Sequence, residues 1–438
     1  MNRKHIKLWT GLGSFTCLAA TVATAATTGE SEKSSVFAQE ADHLPLMAQG
    51  GEGGEAGAMP GSYKLLSTDP ATYGFDVSTQ VANYADLVHS SYAKALADAK
   101  TMQVAVARFL DKPDEAGLEK ARQTWTKARP AYLVTEVFRF YDGPIDVAAD
   151  GSPGPESRIN AWPLNEAFID SVKGRPRSGL VWDESIELTR ESIMSRDQVS
   201  DESDVTTGWH AIEFLLWGQD LSESGPGERP HTDYLPGETH RDRRRLYLQT
   251  TVQMLIDDLA SLEAGWAPGQ DNYRKQFLAL EPREALGRAI NGAANLVGHE
   301  LAIERLAVAL DSGDQEDEHS CFSDTTHQDH LYDLRGAYNV WRGSPNEEES
   351  PHSIRALTQR VDPELAAQTD QLFSVALAAV AMMDKPFDSI LASEPGSPKR
   401  QRAEAAVTAF QALGTQLARL GQRLGVLVIV PGLEIGQG

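Results

Sequence analysis

Cysteine is almost missing from this chain. Of two, Cys17 sits in an N-terminal apolar stretch and Cys321 stands alone beyond it, so loss of the leader would leave no intramolecular disulfide to staple the fold. Stability must then come from core burial, for which roughly 400 residues suffice, enough for two domains of ordinary size. Positive charge is also short: 40 Lys and Arg face 63 Asp and Glu, a formal charge of −23. That balance argues against nucleic acid and anionic membrane surfaces as partners and suits attraction of cations. After the leader no segment reads as the ~20 apolar residues of a membrane span. Enzyme signatures are largely absent too. The string His299-Glu300-Leu301-Ala302-Ile303-Glu304 lacks the second histidine of a His-Glu-x-x-His zinc motif, and neither a Gly-x-Ser-x-Gly elbow nor a Gly-Lys-Ser/Thr phosphate loop follows the leader. No stretch alternates with a period of two, so the expected fold is all-α.

What is present begins with Arg3, Lys4 and Lys7 ahead of apolar residues 8–22 and the small-x-small run Ala23-Thr24-Ala25. This reads as a signal peptide over residues 1–25, hence export to the periplasm or cell envelope. Residues 26–75, with Gly50-Gly51-Glu52-Gly53-Gly54, read as a flexible tether. Helical periodicity then starts with Val81, Tyr84, Val88 and Tyr92. It continues over 115–140, where Pro130 marks a kink or break. A structured loop is expected at 143–163 and further helices at 283–310, 364–383 and 403–424. Two helical bundles packed together follow, at 76–225 and 243–438, joined by a Gly- and Pro-rich connection at 226–242. Their similar size suggests an internal duplication. The only sequence echo is a Glu and a Phe four apart in both Glu136–Phe140 and Glu318–Phe322.

The chemistry concentrates in Thr207-Gly208-Trp209-His210-Ala211-Ile212-Glu213-Phe214-Leu215-Leu216-Trp217. His210 and Glu213, three apart on a helix, share a face and can converge on one ion. Leaving either unpartnered in so apolar a run would cost several kcal/mol. A metal site is the leading expectation, with Glu136 as a further ligand and Glu318, His319, Asp324 and His327 as candidates to complete it. The dense run of carboxylates and histidines at 315–327 around Cys321 supplies the last four. Histidine plus carboxylate suits iron(II), zinc or manganese, and an oxygen-rich site admits iron(III). Glu300 and Glu304 rank lower, being able to pair with arginines at the surface. His327 and His330 read as a surface pair, and Cys321 as packing.

These strings resemble the imelysin family of exported bacterial proteins. Gly208-Trp209-His210-Ala211-Ile212-Glu213 matches its Gly-x-His-x-x-Glu signature. The likeness extends to 135–146, to Gly154-Pro155-Glu156 with Ile159-Asn160-Ala161-Trp162-Pro163, and to the run around Cys321. The resemblance implies two α-bundles with the signature near their junction. It also implies a role in iron uptake or homeostasis at the cell envelope, a bound metal ion (iron favoured, zinc the alternative) and an envelope iron transporter or a peptide as partner. It would place Arg139, Arg158 and Asn160 in the same cleft, able to orient an anionic ligand. Members have been classed as metallopeptidases, which leaves two alternatives open. One is a zinc-dependent peptidase with Glu213 as base; the other is a non-catalytic module for a peptide or protein. No catalytic residue is assigned.

Overall fold

In the computed structural model, the structure describes residues 62–69, 72–222, 224–346 and 348–433. The expected leader and most of the expected tether lie outside them. The amphipathic spacing noted above produces a 34-residue helix α1, Ser78–Asp111, whose buried stripe runs from Val81 through Tyr84, Val88 and Tyr92 to Phe109. Helix α2, Glu115–Leu133, starts where Asp114 accepts the Gly117 N–H at 2.8 Å, a side-chain cap for an otherwise orphaned donor. Pro130 ends it within a turn rather than kinking it: the chain passes into a short 3₁₀ turn, Glu136–Phe138, so Glu136 and Arg139 face inward.

Helix α3 is the single turn Glu156–Asn160 in the expected loop, and α4 is the motif helix Gly208–Trp217, buried at every residue. Its first glycine is a requirement. Gly208 has φ +84°, and a Cβ there would lie 2.4 Å from the Ile159 carbonyl oxygen, so only glycine lets α4 dock on α3. Helix α5, Thr239–Trp266, packs on α1 and α4 through Tyr247, Leu248, Leu255 and Leu259. It therefore belongs with the first group of helices, and the expected boundary at 226–242 does not divide the two halves.

The second group holds α6, Pro282–Asn295, continued by a wide π-helical segment, Leu296–Ala307, then α7, Thr326–Arg342, α8, Pro363–Met382, and α9, Pro398–Arg423. Helix α9 lies along both the π segment and α8, and α7 reaches back to α2. One continuous apolar core runs through both groups, and all described residues fall in one compact unit. The fold is all-α but for one antiparallel ribbon, in which β1, Tyr63–Leu65, pairs with β2, Val426–Val428. That strand lies inside the expected tether, whose last described residues are thus tied down: Leu65 and Phe75 pack on the core, and the Phe75 carbonyl accepts from Arg283. Helix α8 also corrects an expectation, being long and apolar enough to cross a membrane at 20 residues with a mean hydropathy of 1.3. Here it is a bundle helix that buries Ala366, Phe373, Ala376 and Val380.

Candidate functional site

Helices α2, α3 and α4 and the turn before α7 enclose a polar junction centred on Arg129, which is 1% exposed. Its Nη1 donates to Asn160 Oδ1 at 2.6 Å, and its Nη2 lies 3.1 Å from His210 Nε2 and 3.4 Å from His319 Nε2. Trp125, Tyr132 and Trp209 surround the guanidinium, each ring centroid 5.9 Å from its central carbon. Asp329 provides the negative charge, 3.4 Å from Nε, and also accepts from Ser320.

On the other side of His210, Nδ1 lies 2.8 Å from Glu213 Oε2, while Glu213 Oε1 accepts from Ser323 N–H at 2.9 Å and Ser323 Oγ at 2.6 Å. A guanidinium can only donate, so His210 Nε2 must accept and Nδ1 must carry the hydrogen given to Glu213. Burial, with Arg129 and His319 nearby, holds the His210 imidazole well below its usual range, in keeping with that neutral tautomer. Burial likewise pushes the Glu213 carboxyl up to about 8, against the pull of Ser323 and Arg129. Three donors nonetheless converge on its two oxygens, and a proton on Oε2 would collide with the Nδ1 hydrogen. Hydrogen bonding therefore favours the carboxylate, and the upward push expresses the cost of burying that charge.

A metal held by His210 and His319 would have to stand where Arg129 Nη2 stands. Arginine stays protonated in proteins, so the place between the two imidazoles already holds a cation, and both oxygens of Glu213 already accept hydrogen bonds. These residues do not fit a zinc or iron centre while Arg129 is in position.

Glu136 belongs to an adjoining cluster. Tyr132 donates to its Oε1 at 2.5 Å, and Arg139 and Arg305 donate to Oε2 at 2.9 and 2.8 Å. Burial alone would raise this carboxyl, but the two arginines hold it down to about 2. Arg305 also reaches Glu300 and Asp333, and Arg139 reaches Glu156. Glu300 is thus paired in the core, not at the surface. Arg139 holds protein carboxylates, Arg158 pairs with Asp258 nearer the surface at 3.0 Å, and Asn160 serves Arg129.

The remaining candidates divide. His319 is buried at the junction, its Nδ1 3.0 Å from Asp329 Oδ2 but out of hydrogen-bond alignment. His330 is fully buried against Phe387, not a surface residue, and His327 is half-buried. Cys321 is buried and free, its thiol pushed up by burial, as packing requires. Glu318 and Asp324 face away from the junction, where carboxylate oxygens of Asp220, Asp324 and Asp388 lie within 4.8 Å of one another. Asp220 also walls a cleft of about 960 Å³ shared with Arg122, Lys127, Trp217, Ser323 and Thr325.

Sequence reasoning overlooked Arg129, Asp220, Asp329 and Asp388. Arg129 carried a signal, since it interrupts the apolar face Leu118, Ala121, Trp125, Ala128 and Tyr132 of α2. Asp388 opens the short helix Asp388–Leu391 and carried none.

Residues 88–420 match the family model Peptidase_M75, described as Imelysin. The chain belongs to the imelysin family. The match runs from α1 into α9 and includes both clusters. This imelysin chain is 25% identical over 355 residues to "Iron-regulated protein A" of Synechococcus elongatus, covering 79% of this chain and 86% of that protein. Among solved structures it resembles a "putative iron-regulated protein A precursor" from Parabacteroides distasonis. The TM-score is 0.63 at 19% identity, over 80% of this chain and 95% of that one, a likeness of fold.

Proposed function

We propose that this imelysin-family chain is an exported metal-binding protein serving iron acquisition at the cell envelope, and not a zinc peptidase. The relatives named for iron regulation support the iron role, and the description of the Parabacteroides relative as a precursor supports export. The observation that carries the reading is where unsatisfied ligand atoms lie. At the His210–Glu213 pair Arg129 and Ser323 use the lone pairs, which leaves no open position for the water of a catalytic zinc. At the edge of the cleft, buried carboxylates stand without partners. Cargo would enter there and pass to an envelope transporter. The test is elemental analysis of residues 26–438 purified without chelator, with proteolysis of an unstructured substrate measured with and without zinc. About one equivalent of metal without zinc-dependent proteolysis is expected. Proteolysis lost with chelator and regained with zinc would restore the peptidase reading. A metal-free protein that stays so after reconstitution would favour a peptide- or protein-binding module.

A further inference from the structure

We infer that Asp220, Glu318, Asp324 and Asp388 form an all-oxygen site for a hard cation at the inner edge of the cleft. The inference rests on the metal-binding reading above and gives it a place that the Gly-x-His-x-x-Glu signature does not supply. The four carboxylates come from separate stretches: Asp220 just beyond the end of α4, Glu318 and Asp324 in the turn before α7, and Asp388 at the start of the short helix Asp388–Leu391. Tertiary folding alone brings them together, with oxygens of three within 4.8 Å of one another and Glu318 beside Asp388 and Asp324.

The independent observation is what these side chains lack. Glu318 is fully buried and Asp388 is 3% exposed, yet no oxygen of either meets a donor in good hydrogen-bond geometry, the Thr326 hydroxyl being the one donor beside Glu318, and Asp324 Oδ1 is likewise unsatisfied. Among the described residues no Lys, Arg or His lies within 4.0 Å of any of the four carboxylates. Elsewhere the core handles its buried acids differently: Glu136, Asp170 and Asp333 each have an arginine. A buried carboxylate with neither donor nor counter-charge costs several kcal/mol, and four together repel one another. Either protons or a cation must hold them. Without a cation, burial and the neighbouring Asp388 push Glu318 well above the usual carboxylate range and Asp324 up to about 8, and burial brings Asp220 to about 6.

The ligand set names the class of ion. Four carboxylates with no thiolate and no coordinating imidazole suit oxygen-seeking ions such as calcium, manganese(II) or iron(III), and disfavour copper(I) and zinc. Asp220 is the one placed for entry. It is partly exposed on the cleft wall and is positioned by the Ser222 N–H at 2.9 Å and Gln315 Nε2 at 2.7 Å.

Equilibrium dialysis with manganese(II), and separately with iron(III) citrate and zinc, on residues 26–438 tests the site. The forms compared are the wild type, Asp324→Asn/Asp388→Asn and His210→Gln. The expected result is one manganese or iron(III) per wild-type chain, affinity at least tenfold weaker in the carboxylate variant, and affinity unchanged in His210→Gln. The variant removes repulsion, so its metal-free melting temperature should not fall, which separates lost ligands from lost fold. Were it to unfold, Asp388→Asn alone must abolish the manganese-induced rise in melting temperature. Binding that survives in the carboxylate variant but is lost in His210→Gln overturns this site and leaves the metal-binding reading standing. No uptake by any form overturns both.

Discussion

Replacing Arg129 by methionine is the sharpest perturbation of the junction. The guanidinium is buried to 1%, neutralises Asp329, donates to Asn160 and meets three aromatic rings. Breaking a buried ion pair from one side costs about 3–5 kcal/mol, because the other charge stays behind. The lost Asn160 hydrogen bond and cation–π contacts add ~1 kcal/mol each at most, partly offset by the methionine packing. The expected loss is about 4 kcal/mol, a large fraction of a typical stability of ~5–15 kcal/mol. Urea unfolding followed by tryptophan emission reads it directly, since Trp125 and Trp209 flank the site. A double-mutant cycle with Asp329→Asn should return a coupling of at least ~1.5 kcal/mol. The variant should also gain zinc affinity, because His210 Nε2 and His319 Nε2 lose the donor they share. A loss under ~1 kcal/mol, or no coupling, would refute the claim that Arg129 is the cation of this centre.

Other outcomes follow from particular side chains. Asp170 sits between Arg229 and Arg244, which overcome burial and hold its carboxyl down to about 2. A depressed acid stabilises the fold above its unfolded value near 4 and loses that contribution as pH falls toward 2. About 2–3 kcal/mol should thus disappear across that window, and Asp170→Asn, though less stable at neutral pH, should show a flatter acid limb in pH-dependent urea melts. Asp324 has the opposite sign. Its raised carboxyl favours the fold below about pH 4, and that contribution is lost as pH rises through about 8; metal-free protein should therefore melt earlier at pH 8 than at pH 5, and Asp324→Asn/Asp388→Asn should reduce the difference. Gly208→Ala forces a methyl to 2.4 Å from the Ile159 carbonyl oxygen at φ +84°, and should cost more than ~2 kcal/mol in chemical denaturation, whereas Gly237→Ala, with nothing within 4 Å, should pay only for its positive φ.

The helical architecture was legible because the buried stripes of α1, α5 and α9 follow the three-and-four spacing that apolar burial imposes. The motif helix was legible for the same reason, and His210 and Glu213 do share a face, though they meet each other and Arg129 instead of converging on an open position. The π segment was not legible. Its wider turn brings residues five apart together, so Glu300 meets Arg305 in the core, where a 3.6-residue turn would offset them. The ribbon β1–β2 escaped because each strand is three residues long and its partner lies at the far end of the described chain. The carboxylate cluster was half legible: Glu318 and Asp324 stood out by local density, but Asp220 and Asp388 join them only through tertiary packing.

The central claim is that a cation belongs at the carboxylates and that Arg129 closes the histidines. Anomalous diffraction from crystals of residues 26–438 grown with manganese(II) tests it most directly. One peak is expected within coordination distance of Asp220, Glu318, Asp324 and Asp388, with Arg129 still on His210. A peak bounded by His210, Glu213 and His319, with Arg129 displaced, would contradict it.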